Sequence, residues 1–243
     1  MNENRNFSAS DTRLDRRVAR DAKERLTEDL RRLILTLKLE PGSHLDETGL
    51  SQEYGISRTP LRDVFRQLAG EGYILLRDNR GAMVAPMNHK TLRLFLQTAP
   101  LIYTAIARLA AENAQAHHIT ALREAQDTFR QAVASGAVAE IVYTHALFHQ
   151  CLGEISENPY LQPSLQRVVI DHARIGLSFW QGPQASMAEV MAQAAEHQDR
   201  LIALLEARDV EATVALSLAQ WTLSRTHFEA AARPEPLPLD AGR

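Results

Sequence analysis

The sequence predicts a mainly α chain, with three helices and a small β-hairpin at the front and an all-helical bundle after it. Three observations carry this expectation. Residues 21–86 change periodicity several times and hold a Pro-Gly turn and a Gly-centred hairpin. Residues 89–232 read as Ala- and Leu-rich helix throughout, with breaks near Gly136, Asn158-Pro159, Gly182-Pro183 and Arg208-Asp209. The ends differ from both: residues 1–20 are polar without a sustained apolar period and read as a flexible arm, while residues 233–243 carry alternating prolines and read as a tail.

The front domain begins with a helix whose Leu26, Leu30, Leu33, Ile34 and Leu37 recur at helical spacing. Pro41-Gly42 turns the chain. Leu45, Leu50 and Tyr54 suit a short second helix, ended by Gly55, which tolerates positive φ. Ser57 is placed to cap a third helix, and Pro60 fits its first turn. In that third helix Leu61, Val64, Phe65 and Leu68 form one apolar stripe, while Arg58, Arg62 and Arg66 form a second, about 110° round at 100° per residue. A helix that packs by one face and offers guanidiniums and Thr59 on another suits the DNA major groove, where Arg bonds guanine or phosphate. Taken alone, the same stripe is also compatible with a solvated surface. Two short strands around Arg77-Asp-Asn-Arg-Gly81 then predict a wing, with Arg77 and Arg80 near its tip to meet backbone or minor groove.

Leu39-Glu-Pro-Gly-Ser-His-Leu-Asp-Glu, Tyr54-Gly-Ile-Ser-Arg-Thr-Pro-Leu-Arg-Asp and Leu68-Ala-Gly-Glu-Gly-Tyr together resemble the winged helix-turn-helix of the GntR family over residues 25–86. The resemblance implies that Arg58, Arg62 and Gly81 take DNA-contact positions, with Thr59 and Arg66 beside them. It implies a transcription regulator, expected to be a repressor, bound to double-stranded operator DNA as a homodimer. Ala107-Arg-Leu-Ala-Ala, Leu147-Phe-His-Gln-Cys-Leu, Glu157-Asn-Pro-Tyr-Leu and Glu196-His-Gln-Asp-Arg-Leu-Ile resemble the FadR-type effector domain called FCD across about residues 90–230.

The histidines of the second half carry their own chemistry. His145 and His149 lie one turn apart on one helix, and His197 lies within the apolar stripe of another. Imidazoles entering a bundle core from two helices can bind a divalent metal such as zinc or nickel, and each can equally be a core-edge side chain bonded to a carbonyl or carboxylate. The FCD resemblance implies a ligand set of His145, His149, His197 and Gln220, with His145 where the family usually has Asp and Gln220 where it usually has His. It also places Ala99 and Tyr103 where the family has Arg and Glu. His172 and Arg174 on a further helix are candidates to bind a small carboxylate effector beside Tyr103.

Composition bounds the remaining classes. Apolar content of 45% and charged content of 23% are ordinary for a globular protein, and the net charge of −3 places any DNA affinity in local patches. Residues 1–86 carry 15 Lys and Arg against 14 Asp and Glu. No apolar run reaches the roughly 18 residues of a membrane span, no signal-peptide layout opens the chain, and a single cysteine fits the cytoplasm. No nucleophile elbow, His-Glu-x-x-His or phosphate loop occurs, so a metal-dependent hydrolase is the outlying alternative to a regulator and no enzyme is expected. A dimeric DNA-binding scaffold without effector or metal is the nearer one.

Overall fold

The computed structural model describes residues 9–77, 81–179 and 185–231. They fall in two compact units, bounded as Met1–Met87 and Asn88–Arg243. Helices dominate both.

In the first unit α1 (Ala9–Leu35), α2 (Glu47–Tyr54) and α3 (Arg58–Glu71) precede β1 (Ile74–Arg77) and β2 (Gly81–Val84). Leu26, Leu30 and Ile34 of α1 are buried with Leu61, Val64, Phe65 and Leu68 of α3, the two stripes that the periodicity predicts. Each such side chain removed from water contributes about 1.5–3 kcal/mol. A bidentate ion pair reinforces the packing: Arg31 Nε and Nη2 reach the Glu71 carboxylate at 2.9 and 2.6 Å. Asp46 caps α2 by accepting from the backbone N–H of Thr48 and Gly49. Gly55 and Gly72 end α2 and α3 at φ 63° and 91°, where a Cβ would be strained. β1 and β2 pair antiparallel from Ile74↔Val84 to Arg77↔Gly81. Residues 43–45 add to the free edge of β2, with Leu45 N–H donating to Ala82 O and Val84 N–H to Ser43 O, both at 2.9 Å.

Residues 9–20, read as an arm, are the first turns of α1. Charge without a sustained apolar period is compatible with helix as well as with an arm. Arg, Ala and Leu are strong helix formers, and Arg20 pairs with Glu24 one turn on at 2.8 Å. Residues 1–8 lie outside the described residues.

The second unit is a bundle of α4 (His89–Asn113), α5 (Ala116–Ser135), α6 (Val138–Ile155), α7 (Leu161–Phe179), α8 (Ala185–Glu206) and α9 (Val210–Ala231). α4 is its axis, packed against α6, α7 and α9, while α5 packs against α6 and α8. By length and composition α4 is apolar enough to cross a membrane, and here Phe95, Ala99, Tyr103, Ile106, Ala107, Ala110 and Ala111 bury its apolar face in the bundle. Asn88 caps it by accepting from the Thr91 N–H at 3.0 Å. Gly136 (φ 68°), Asn158 and Arg208 (φ 55°) stand at the breaks expected there. The break at Gly182-Pro183 lies outside the described residues. The α4–α5 junction at Ala114-Gln115 carries neither Gly nor Pro and escaped the sequence reading. Gln115 caps α5 there, trading hydrogen bonds with His118.

Candidate nucleic-acid interface and histidine cluster

α3 is amphipathic in a way that leaves its cations available. Leu61, Val64 and Leu68 are fully buried, whereas Arg58, Thr59, Arg62 and Arg66 are exposed. Ser57 stands at the N-cap in extended conformation without a side-chain capping bond. Among the described residues Arg58 and Arg62 engage no hydrogen bond or ion pair, while Arg66 Nη1 lies 2.9 Å from Asp63 Oδ1. That pair is solvent-exposed and weak, so Arg66 is held loosely beside the other two. Arg77 closes β1, exposed and opposite Gly81 across the hairpin. Arg80 lies outside the described residues. Gly81 has φ 69°, and a Cβ there would sit 3.0 Å from Glu47 Oε1, so the base of the wing closes on the start of α2. Nothing in the chain's periodicity pointed to Glu47, because only the fold brings it to the wing.

In the bundle, His145 and His149 of α6 meet His172 of α7 and Tyr103 of α4. Ring centroids lie 4.7 Å apart for His145–His149, 5.5 Å for His145–His172, 6.3 Å for His149–His172 and 5.0 Å for Tyr103–His149. The Tyr103 hydroxyl and His172 Nδ1 share a 2.7 Å hydrogen bond. Burial is the main influence on their protonation. It lowers His145 to about 4, His172 to about 3 and His149 well below the ordinary imidazole value, the neighbouring imidazoles adding to the effect on the last two. All three are therefore neutral near pH 7. Burial also raises the Tyr103 phenol, which stays protonated. Both ring nitrogens of His149 are buried without a hydrogen-bond partner. Ser217, Gln220, Trp221 and Ser224 of α9 join Tyr103, His149 and His172 around a small cavity, with room for about one water-sized molecule.

This arrangement separates residues that the sequence reading had grouped. His197, on α8, is half-buried and in ring contact with none of the three clustered histidines. Among the described residues no group of three or more His, Cys, Asp or Glu is placed to hold a metal ion. The described residues thus give no support to His145, His149, His197 and Gln220 as a metal-ligand set. Helical spacing correctly puts His145 with His149, but which face of α8 meets α6 is settled by packing between helices. His172 and Arg174 also part company, because residues two apart on a helix do not share a face. His172 enters the cluster. Arg174, fully buried, lies 3.6 Å from Asp171 Oδ1 and does not line the cavity. Ala99, like Tyr103, is buried on the inner face of α4.

Two family models match the chain. Residues 22–84 match the gntR family of bacterial regulatory proteins, and residues 101–223 match the FCD domain. Among curated relatives, an HTH-type transcriptional regulator, YdhC, of Bacillus subtilis is 26% identical over 57% of this chain and 62% of its own length. The galactonate operon transcriptional repressor of Escherichia coli is 27% identical over 69% of this chain and 87% of its own. Two solved structures share the fold: McbR/YncC of E. coli (TM-score 0.68, 19% identity, 86% of this chain and 96% of that one) and a GntR regulator from Rhodococcus sp. RHA1 (TM-score 0.65, 16% identity, 87% and 99%). The matched families and relatives regulate transcription and are not enzymes.

Proposed function

The chain belongs to the GntR family of bacterial transcription regulators, with an FCD domain as its second half, and from this premise we propose that it represses transcription by binding operator DNA as a homodimer. One observation carries the proposal: α3 buries its apolar stripe completely while Arg58, Thr59 and Arg62 remain exposed on another face, Arg58 and Arg62 without a partner among the described residues. Such a helix can enter a major groove, with Arg62 and Arg58 reaching base edges or phosphate and Arg77, Arg80 and Gly81 set on the flanking backbone. Two copies related by a twofold axis would read a near-palindromic site. The cytoplasm is where such a protein acts.

The helical half is the proposed seat of effector control. The neutral cluster of Tyr103, His149 and His172, with Ser217 and Gln220, supplies donors and acceptors but no cation. It favours the hydroxyl or carbonyl groups of a small effector over a bare carboxylate, and its donor arrangement gives a zinc or nickel anchor no support. A coupling of about 1.4–2.7 kcal/mol between effector and DNA would weaken operator binding ten- to a hundredfold. The tightness of the cavity favours a second reading, in which the bundle is a dimerisation module without effector. Screening neutral polyols, sugars and lactones beside the corresponding sugar acids for a shift in thermal stability separates the two, since a ligand that stabilises wild type but not His149→Ala would assign the effector to the cluster.

The DNA reading is tested by selecting bound sequences from a random duplex library with the full chain. Enrichment of a twofold-symmetric site that Arg62→Ala no longer retains is the expected result. No enrichment by the wild-type chain would overturn the reading.

A further inference from the structure

Resting on the homodimer reading above, we propose that a second copy of this chain docks on the outer face of α4. The two α4 helices run antiparallel about a twofold axis at Leu101, which sets Lys90 of each copy against Glu112 of the other. The observation is an apolar stripe that the bundle leaves exposed. Leu94 and Leu101 are 48% and 68% exposed, and Leu101 is the most exposed large aliphatic side chain among the described residues. At 100° per residue Lys90, Leu94, Leu101, Arg108 and Glu112 share about 80° of arc with the small Thr98 and Ala105. From Leu94 onward the steps alternate between four and three, the spacing of a seam between two helices. This stripe lies opposite Phe95, Ala99, Tyr103 and Ile106, which α4 buries in the bundle. An exposed apolar patch rimmed by polar residues marks an interaction surface.

The charges choose the occupant. Lys90 and Glu112 stand eleven residues to either side of Leu101. Both are exposed, and neither enters an ion pair with another described residue. A stripe that is basic at one end, acidic at the other and apolar in the middle is complementary to itself once reversed. A parallel pair would set Lys90 on Lys90 and Glu112 on Glu112. The antiparallel twofold pair sets each on its opposite, and does so twice, because in such an interface residue i meets j and j meets i. The same operation carries Leu94 onto the aliphatic stem of Arg108, whose guanidinium is turned to Glu211 of its own chain at 3.0 Å. From Leu101 to Lys90 or to Glu112 the helix rises about 16 Å. At the crossing of about 20° usual for helices packed on such a seam, the two axes are still close enough there for Lys and Glu to meet. Leucine thus stands at the centre of the contact and charge at its rim, the order found in protein interfaces.

The test is sedimentation equilibrium of the full-length chain without DNA, beside variants at exposed positions that keep good helix formers in α4. Circular dichroism checks that each variant retains its helices. Because Leu101 meets itself at the axis, Leu101→Glu and Leu101→Lys should each weaken self-association by at least about thirtyfold. An equimolar mixture of the two should associate at least about tenfold more tightly than either alone. Lys90→Glu should weaken the dimer by at least about fivefold, and the charge-swapped K90E/E112K should return it to within about threefold of wild type. Wild-type association in all of these variants would overturn the α4 surface while leaving the homodimer reading intact. Weakening by both Leu101 variants without recovery in their mixture would overturn the axis at Leu101. A monomeric wild-type chain would overturn both readings, and dimerisation only on removal of residues 233–243 would give the face to that segment instead.

Discussion

The helix α3, proposed to read DNA, and the histidine cluster of the bundle solve opposite problems with polar side chains. α3 keeps its arginines in water, where they remain charged at little desolvation cost, and buries only hydrocarbon. The cluster takes imidazoles and a phenol out of water, so that they stay neutral and depend on one another and on any incoming group for hydrogen bonds. Function and stability therefore separate on α3 and coincide in the cluster. Substitutions on the exposed stripe of α3 should alter binding without touching the fold. Substitutions in the cluster should alter both.

The largest contrast comes from comparing the two stripes of α3. Phe65→Ala should cost about 3–5 kcal/mol of stability in the first unit, read by chemical denaturation. Arg58→Ala with Arg62→Ala should leave the denaturation midpoint within about 0.5 kcal/mol of wild type yet weaken binding to a selected operator by at least about a hundredfold. A large loss of stability in the arginine variant would mean that the stripe is part of the packing.

Acid should sharpen the comparison from the other side. The folded-state values of His145 and His172 are about 4 and 3, below the unfolded imidazole value near 6.5. The unfolded chain therefore binds more protons as pH falls below 6.5. The stability contributed by keeping these rings neutral is complete above that pH and is lost through the window down to about pH 3–4. A loss of at least about 2 kcal/mol between pH 6.5 and pH 4 is expected, and it should be smaller in His172→Phe. An identical pH profile in that variant would show that His172 is not held neutral by burial.

Smaller effects mark the margins. Tyr103→Phe removes the partner of His172 Nδ1 and should cost about 1–3 kcal/mol, with the far-ultraviolet circular dichroism unchanged. Arg66→Ala breaks only an exposed pair with Asp63 and should change stability by less than about 1 kcal/mol.

What could be read from the sequence follows the same division. The site on α3 was legible because it lies on one helix, where a spacing of three or four residues determines which side chains are neighbours. His145 and His149 were legible for the same reason. The cluster as a whole was not, because Tyr103, His149, His172 and Gln220 come from four helices, and their rotations are set by packing along α4, α6, α7 and α9. His197 is grouped with His145 and His149 by its place in the apolar stripe of its own helix and by the family likeness, and Arg174 with His172 by nearness in sequence. Neither inference contains the angle at which one helix meets another. The first turns of α1 failed differently: charge without apolar period reads as lack of structure, although strong helix formers such as Arg, Ala and Leu carry a helix through it.

The proposed role of α3 is to read DNA with Arg62 and Arg58. Its most direct test is the affinity of Arg62→Ala for a selected operator, measured by anisotropy beside a duplex of scrambled sequence. A loss of at least about tenfold on the operator and a much smaller one on the scrambled duplex is expected, so that the preference between them collapses. Wild-type preference retained in Arg62→Ala would contradict it and move the reading surface away from α3.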